Sequence, residues 1–96
     1  MLTSKQRAHL RALANKTDTI LHIGKDGVTD NVIAQASGAL KARELIKGRV
    51  LESAMLTAKE ACDLLCAALA AEPVQCIGSR FVLYKRNEEK PVIALD

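Results

Sequence analysis

Apolar residues recur along the chain with a helical spacing in some stretches and a strand-like spacing in others. Three stretches with helical spacing predict helices over residues 3–15, from Thr29 or Asp30 to about Ala42, and from Thr57 to about Ala71. Short apolar or alternating runs predict strands over residues 19–23, 44–51, 74–77 and 80–85. This order predicts one α/β domain over residues 1–96, an α+β two-layer arrangement with its helices on a mixed four-stranded sheet.

Glycine and proline positions refine this outline. Gly78-Ser79 separates the last two strands by two residues, which predicts a tight hairpin. Gly48 lies inside the second strand, where it weakens the strand or marks a bulge. Residues 91–95 are extended after a leading proline and are compatible with an extra C-terminal edge strand. The pattern leaves open which face of the sheet the first helix covers.

The composition favours a folded domain with an aliphatic core. Of the 96 residues, 49% are hydrophobic, but there is one Phe, one Tyr and no Trp. Proteins that bind unpaired bases commonly stack them on aromatic rings. Because only Phe81 and Tyr84 could provide such rings, contacts to a nucleic-acid backbone are the better expectation for this chain.

Charge is distributed unevenly between the two halves of the chain. Residues 1–50 contain nine basic and four acidic residues, whereas residues 51–96 contain five and seven, for a net charge of +3. A basic half is typical of proteins that bind polyanions, although a solvated surface without a partner gives the same pattern. The candidate basic residues are Lys5, Arg7 and Arg11 on the first helix and Arg43, Lys47 and Arg49 around the second strand.

The run Gly24-Lys25-Asp26-Gly27 lies between a short apolar strand and a predicted helix start. Glycines allow main-chain N–H groups to approach a ligand closely, and a helix N-terminus favours an anion. Lys25 adds a mobile cation, while Asp26 would repel a phosphate, so we expect its side chain to point away or to hold the loop's own backbone. From this motif alone, an ordinary strand-to-helix turn is the favoured interpretation.

The sequence lacks the motifs of the common nucleotide-binding and catalytic sites. It contains neither GxxxxGK[ST] nor GxGxxG, and His9 and His22 have no neighbouring pattern of carboxylate and nucleophile. Cys62 and Cys66 are four residues apart, without a histidine nearby to complete a zinc site. We therefore expect no enzyme activity, no cofactor and no metal. Unpaired cysteines without a signal peptide or membrane-spanning segment predict a cytoplasmic location.

Four blocks of sequence occur in order over almost the whole chain. They are Leu2-Thr3-Ser4-Lys5-Gln6-Arg7, Ile23-Gly24-Lys25-Asp26-Gly27 with residues 28–32, Ala42-Arg43-Glu44-Leu45-Ile46-Lys47, and residues 74–78 with 81–84. Together they resemble the CRM domain (chloroplast RNA splicing and ribosome maturation) in its stand-alone bacterial form, the YhbY family. Gly48 and Ser79 depart from the family pattern, in which an apolar and a basic residue are usual.

The resemblance implies an RNA-binding domain whose fold is similar to the C-terminal domain of bacterial translation initiation factor three. It also implies association with precursors of the large ribosomal subunit and a role in ribosome assembly. The GxxG loop of the family, here Gly24, Lys25, Asp26 and Gly27, is expected to contact RNA. The matching basic positions are Lys5, Arg7, Lys25, Arg43 and Lys47. We expect a monomer; the alternative is a protein-interaction module of a ribonucleoprotein, with RNA contact secondary.

Overall fold

A computed structural model describes residues 2–95, which form three helices and four strands in the predicted order. The elements are α1 (Ser4–Ala14), β1 (Thr19–Ile23), α2 (Asp30–Arg43), β2 (Leu45–Val50), α3 (Ala58–Leu69), β3 (Glu72–Ile77) and β4 (Arg80–Tyr84). The three helices begin where the sequence predicts because threonine hydroxyls accept main-chain N–H groups of the first turns. These caps are Thr3, Thr29 and Thr57.

The strands form one mixed sheet in the order β1-β2-β4-β3. Strands β1 and β2 are parallel and α2 connects them, whereas β4 is antiparallel to both β2 and β3. The predicted hairpin between β3 and β4 is confirmed, and Gly78 has a φ of 59° in its turn. The predicted α/β fold with a mixed four-stranded sheet is therefore confirmed.

Helices cover both faces of this sheet, which fixes the position of α1 that the sequence left open and gives three layers instead of two. On β2, Leu45 packs in a core with α1, whereas Ile46 packs in a separate core with α2 and α3. The reason is visible in β4, where four consecutive apolar residues, 81–84, are all buried. A strand with apolar side chains on both faces needs cover on both faces. The chain therefore folds as three layers, with α1 opposite α2 and α3.

Gly48 is required by close packing in the core and does not form a bulge. It pairs regularly with Phe81 of β4, and a Cβ at Gly48 would lie 2.2 Å from the Phe81 ring. The irregularity of the sheet on this side is in β1, between Thr19 and Leu21. The glycine therefore provides the space that the single phenylalanine of the core occupies.

Residues 91–95 form no edge strand, because their main-chain donors bind elsewhere. Glu44 is fully buried, and its carboxylate accepts hydrogen bonds from the main-chain N–H groups of Asn87 (2.6 Å), Val92 (2.6 Å) and Ile93 (2.5 Å). Burial raises the pKa of the Glu44 carboxyl, but these hydrogen bonds and the charge of Arg86 outweigh it, so that the pKa is lowered. One buried carboxylate thus fixes the C-terminal segment against the domain.

Candidate nucleic-acid interface

The Gly24–Gly27 segment is a tight turn with its two polar residues at the tip. The N–H of Gly27 donates to the carbonyl of Gly24 over 2.9 Å, and Gly27 has a φ of 72°. Glycine is favoured at that position because a Cβ makes this conformation costly. Lys25 and Asp26 are both exposed. The turn therefore presents a lysine and an aspartate to solvent on a main-chain scaffold that it closes by itself.

Three loops meet at one end of the sheet, which we call the loop end. They are the Gly24–Gly27 turn, residues 51–56 and the Gly78-Ser79 turn. Main-chain hydrogen bonds tie them to the strand ends, from Leu51 N–H to Ile23 (2.8 Å) and from Val50 N–H to Ser79 (2.7 Å). A Cβ at Gly24 would lie an ordinary 3.8 Å from Ser53 Oγ. Gly24 is thus required neither by close contacts nor by a positive φ, whereas the positive φ of Gly27 favours glycine at that position.

The N-terminus of α2 is less suited to an anion than the sequence indicates. Val28 and Thr29 separate it from the turn, and the Thr29 hydroxyl already accepts the Val32 N–H over 3.2 Å. Asp30 places a carboxylate in the first helical turn. A phosphate at this terminus would meet that negative charge. The capacity to hold a phosphate therefore rests with the turn and its lysine.

Asp26 does not hold the backbone of the turn, which was one of the two roles expected for it. Its carboxylate is exposed and makes no hydrogen bond or ion pair with any part of the chain from residue 2 to residue 95. The turn is closed instead by the Gly27 N–H. Asp26 is therefore free to turn away from an approaching anion.

Of the predicted basic residues beyond the turn, the structure brings Arg49 to the loop end. Arg49 is exposed on β2 and pairs with His22, which lies two residues before Gly24. Arg43 lies at the far end of α2, a helix of 14 residues that separates it from the turn by about 20 Å. Arg43 is therefore too far from the turn to form one basic patch with it.

Two of the predicted basic side chains bind carbonyl groups of the protein itself. The Nζ of Lys47 donates to the Ala14 carbonyl at the end of α1 over 3.3 Å. The Nε of Arg7 donates to the Pro73 carbonyl in β3, also over 3.3 Å. Both contacts fasten α1 to the sheet. Lys5 and Arg11 are exposed on the outside of α1.

Sequence reasoning missed two residues at the loop end, His22 and Arg80. His22, which has no catalytic pattern near it in the sequence, lies exposed on a sheet face beside Arg49. Arg80 begins β4 and pairs directly with Arg49 on the other side. The alternation of Arg80 with Val82 and Tyr84 is visible in the sequence. Its neighbours become known only once the register of β2 against β4 is fixed.

The cysteines form no metal site. Within residues 2–95 no group of three or more His, Cys, Asp or Glu side chains could hold a metal ion. Cys62 is buried and Cys66 is partly buried, as expected for small core residues, whereas Cys76 is exposed on β3. A hydrogen bond to Cys66 and burial raise the pKa of the Cys62 thiol. In the same described part of the chain, no helix has the length and apolarity to span a bilayer.

Comparison with known proteins identifies relatives that match over the full domain. The family model of the CRS1/YhbY (CRM) domain matches residues 2–85. Probable RNA-binding protein YqeI of Bacillus subtilis (strain 168) is 41% identical over 95 residues, which cover 99% of both chains. A Haemophilus influenzae protein named RNA-binding protein is 32% identical over 91 residues, covering 95% of this chain and 92% of its own length.

A solved structure resembles this chain in both fold and sequence. The solution structure of the hypothetical protein SAV1595 from Staphylococcus aureus superimposes with a TM-score of 0.75 at 44% identity. The match covers 93% of this chain and 96% of the Staphylococcus aureus chain. Because the family model matches residues 2–85 and a relative is 41% identical over 95 residues, the chain belongs to the CRS1/YhbY (CRM) domain family.

Proposed function

We propose that this protein binds RNA through the Gly24–Gly27 turn and the basic residues near it, and that it assists assembly of the large ribosomal subunit by binding its precursors. The observation that carries the proposal is the turn, which exposes Lys25 at the loop end of a CRM domain. Relatives that match nearly the whole chain are named as RNA-binding proteins, which supports RNA as the partner.

The chemistry of the turn suits the RNA backbone better than the bases. Lys25 can pair with a phosphate, and the glycines leave the main chain open to a close approach. The rings of Phe81 and Tyr84 are buried, so neither is available to stack on a base. Phosphate contacts fix position without reading sequence, and we therefore propose that the protein recognises the shape of a folded RNA.

The other predicted residues take different parts in this proposal. Arg49 extends the charge of the turn along the loop end, and Asp26 stays turned away from the phosphate. Lys5, Arg11 and Arg43 are exposed on other surfaces, where a large folded RNA could reach them. Arg7 and Lys47 bind main-chain carbonyls and so are less available to a phosphate. Their contribution is to the overall attraction for a polyanion.

Crosslinking of the tagged protein to RNA in living cells, followed by sequencing of the attached RNA, tests the proposal. We expect reads enriched in large-subunit ribosomal RNA and its precursor, and reduced recovery with Lys25→Gln. Lys90→Gln is the matched control, because it removes the same charge from an exposed position in the C-terminal segment. Reads spread evenly over messenger RNA would contradict a role in ribosome assembly.

A second measurement separates RNA binding from protein binding within a ribosomal precursor. The double variant Lys25→Gln, Arg43→Gln should lose retention on precursor particles at raised salt, because phosphate contacts weaken steeply with ionic strength. If association survives both the substitutions and the salt, contacts to ribosomal proteins explain it better.

A further inference from the structure

Three basic side chains lie next to one another across the sheet at the loop end. His22 of β1 pairs with Arg49 of β2, and Arg49 pairs with Arg80 of β4. Along β2, Arg49 alternates with Lys47 and Leu45, and Leu45 packs in the core with α1. Strand pairing therefore places all three residues on the sheet face that α1 covers, but nearer the loop end. We call His22, Arg49 and Arg80 the basic row.

Helix α1 stops short of the basic row. The last residue of α1, Ala14, is held by Lys47, which lies two positions before Arg49 and farther from the loop end. All three residues of the row are exposed. Half of this sheet face is thus buried under α1, while the half next to the loops presents cations to solvent.

The basic row has no internal partner among the described residues. In the part of the chain that the structure describes, residues 2–95, none of the three side chains makes a hydrogen bond or an ion pair. Like charges directly opposite each other on neighbouring strands are destabilising. The pair Arg49 and Arg80 therefore works slightly against folding, and an external anion would relieve the repulsion.

We propose that the basic row extends the RNA-binding surface from Arg49 to His22 and Arg80, on the sheet face beside the Gly24–Gly27 turn, and that it holds phosphates of one RNA strand as it crosses β1, β2 and β4. This inference rests on the proposed function. Three neighbouring strands span about 10 Å from His22 to Arg80, which lets two guanidinium groups act on neighbouring phosphates. Arginine suits this role because its planar group binds a phosphate with two parallel hydrogen bonds.

The row and the turn would hold the same RNA from two sides of the loop end. His22 precedes Gly24 by two residues, so the row begins about 7 Å along β1 from the turn. The turn leads towards α2, whereas the row faces the layer of α1. An RNA must therefore be long enough to pass over the end of the sheet in order to contact both.

The test uses a fluorescently labelled RNA stem-loop from large-subunit ribosomal RNA and measures its Kd at several salt concentrations. For Arg49→Gln, Arg80→Gln we expect about a tenfold or greater rise in Kd and a salt slope that is smaller by about two, one for each lost phosphate contact. Arg49→Lys, Arg80→Lys keeps both charges and should keep most of the slope. Lys90→Gln, outside both surfaces, should change little.

Stability of the same variants distinguishes RNA binding from a role in folding. We expect Arg49→Gln, Arg80→Gln to unfold at the same or a higher temperature than the wild type, because the repulsion between the two arginines is removed. A loss of affinity accompanied by a matching fall in the unfolding temperature would overturn the proposal.

Two further outcomes separate this inference from the proposed function. If the wild-type protein fails to bind the stem-loop and large-subunit ribosomal RNA, RNA binding itself is wrong. If the wild type binds, Lys25→Gln weakens binding, and the double arginine variant binds like the wild type, the turn functions and the basic row is overturned.

Discussion

At one end of the sheet the carboxylate of Glu44 is fully buried and accepts three main-chain hydrogen bonds, whereas at the loop end the side chains of Lys25, Arg49 and Arg80 are exposed. Within residues 2–95 those three cations have no internal partner. A buried charge must be compensated or it destabilises the fold, while an exposed one costs little. The comparison indicates that one end contributes stability and the other remains available to a ligand.

The largest expected effect comes from removing the buried carboxylate. Glu44→Ala leaves the N–H groups of Asn87, Val92 and Ile93 without their acceptor and releases the C-terminal segment. We expect the free energy of unfolding to fall by about 3 kcal/mol, as is typical when buried polar groups lose their partner. Urea denaturation measures this, with the exposed Glu88→Ala as control. Equal stability of the two variants would remove the contrast between the ends.

The next largest effect on stability is expected at Gly48, which lies in β2 between the two ends of the sheet. In Gly48→Ala the new Cβ meets the Phe81 ring at 2.2 Å, so the ring or the strand must move, at a cost of about 2 kcal/mol. Gly38→Ala is the matched control, because nothing lies within 4 Å of its new Cβ in α2. That control should stabilise the protein by up to about 1 kcal/mol. Opposite signs for the two substitutions are the outcome to look for in thermal denaturation.

The pH dependence of stability sharpens the role of Glu44. Folding lowers the pKa of Glu44 below its ordinary value of 4.5, so the unfolded chain binds this proton more readily than the folded one. The stabilisation is therefore complete above about pH 4.5 and is lost as the pH falls through the lowered pKa. Glu44→Gln should remove this part of the acid sensitivity. Identical pH profiles for variant and wild type would show that another carboxyl is responsible.

The smallest effect on stability is expected at the turn. Lys25 is exposed and has no partner within residues 2–95, so Lys25→Gln should change the free energy of unfolding by less than about 0.5 kcal/mol. RNA affinity should nevertheless fall, and the salt slope should decrease by about one. Fluorescence anisotropy and urea denaturation on the same preparation check both. If Lys25→Gln changes stability but not RNA affinity, Lys25 has a structural role and does not bind RNA.

Local features of the fold could be predicted from the sequence because a few neighbouring residues determine them. The three helices begin within a residue of the predicted positions, and Thr3, Thr29 and Thr57 cap them, since a cap depends on residues within one turn. The Gly78-Ser79 hairpin follows from two residues between two strands. The position of α1 could not be predicted from the sequence, because it depends on both faces of β4 being apolar and on how distant strands pair.

The candidate site shows the same division between local and distant information. The Gly24–Gly27 turn was recognisable as a motif, and its geometry agrees with a main-chain turn that exposes Lys25. The pairing of Arg49 with Arg80 joins residues far apart in the chain and needed the register of the sheet. Glu44 was part of a matched block, but nothing local indicates that its partners lie in the C-terminal segment.

Tyr84 gives the protein a built-in optical probe. With one tyrosine and no tryptophan in the sequence, ultraviolet emission excited at wavelengths longer than phenylalanine absorbs arises from this ring. The ring is buried in the core shared by α1 and the C-terminal segment, whereas the basic row lies on the same face nearer the loops. Unlabelled protein can therefore report the undocking of α1 or of the C-terminal segment in the denaturation experiments, without introducing a dye.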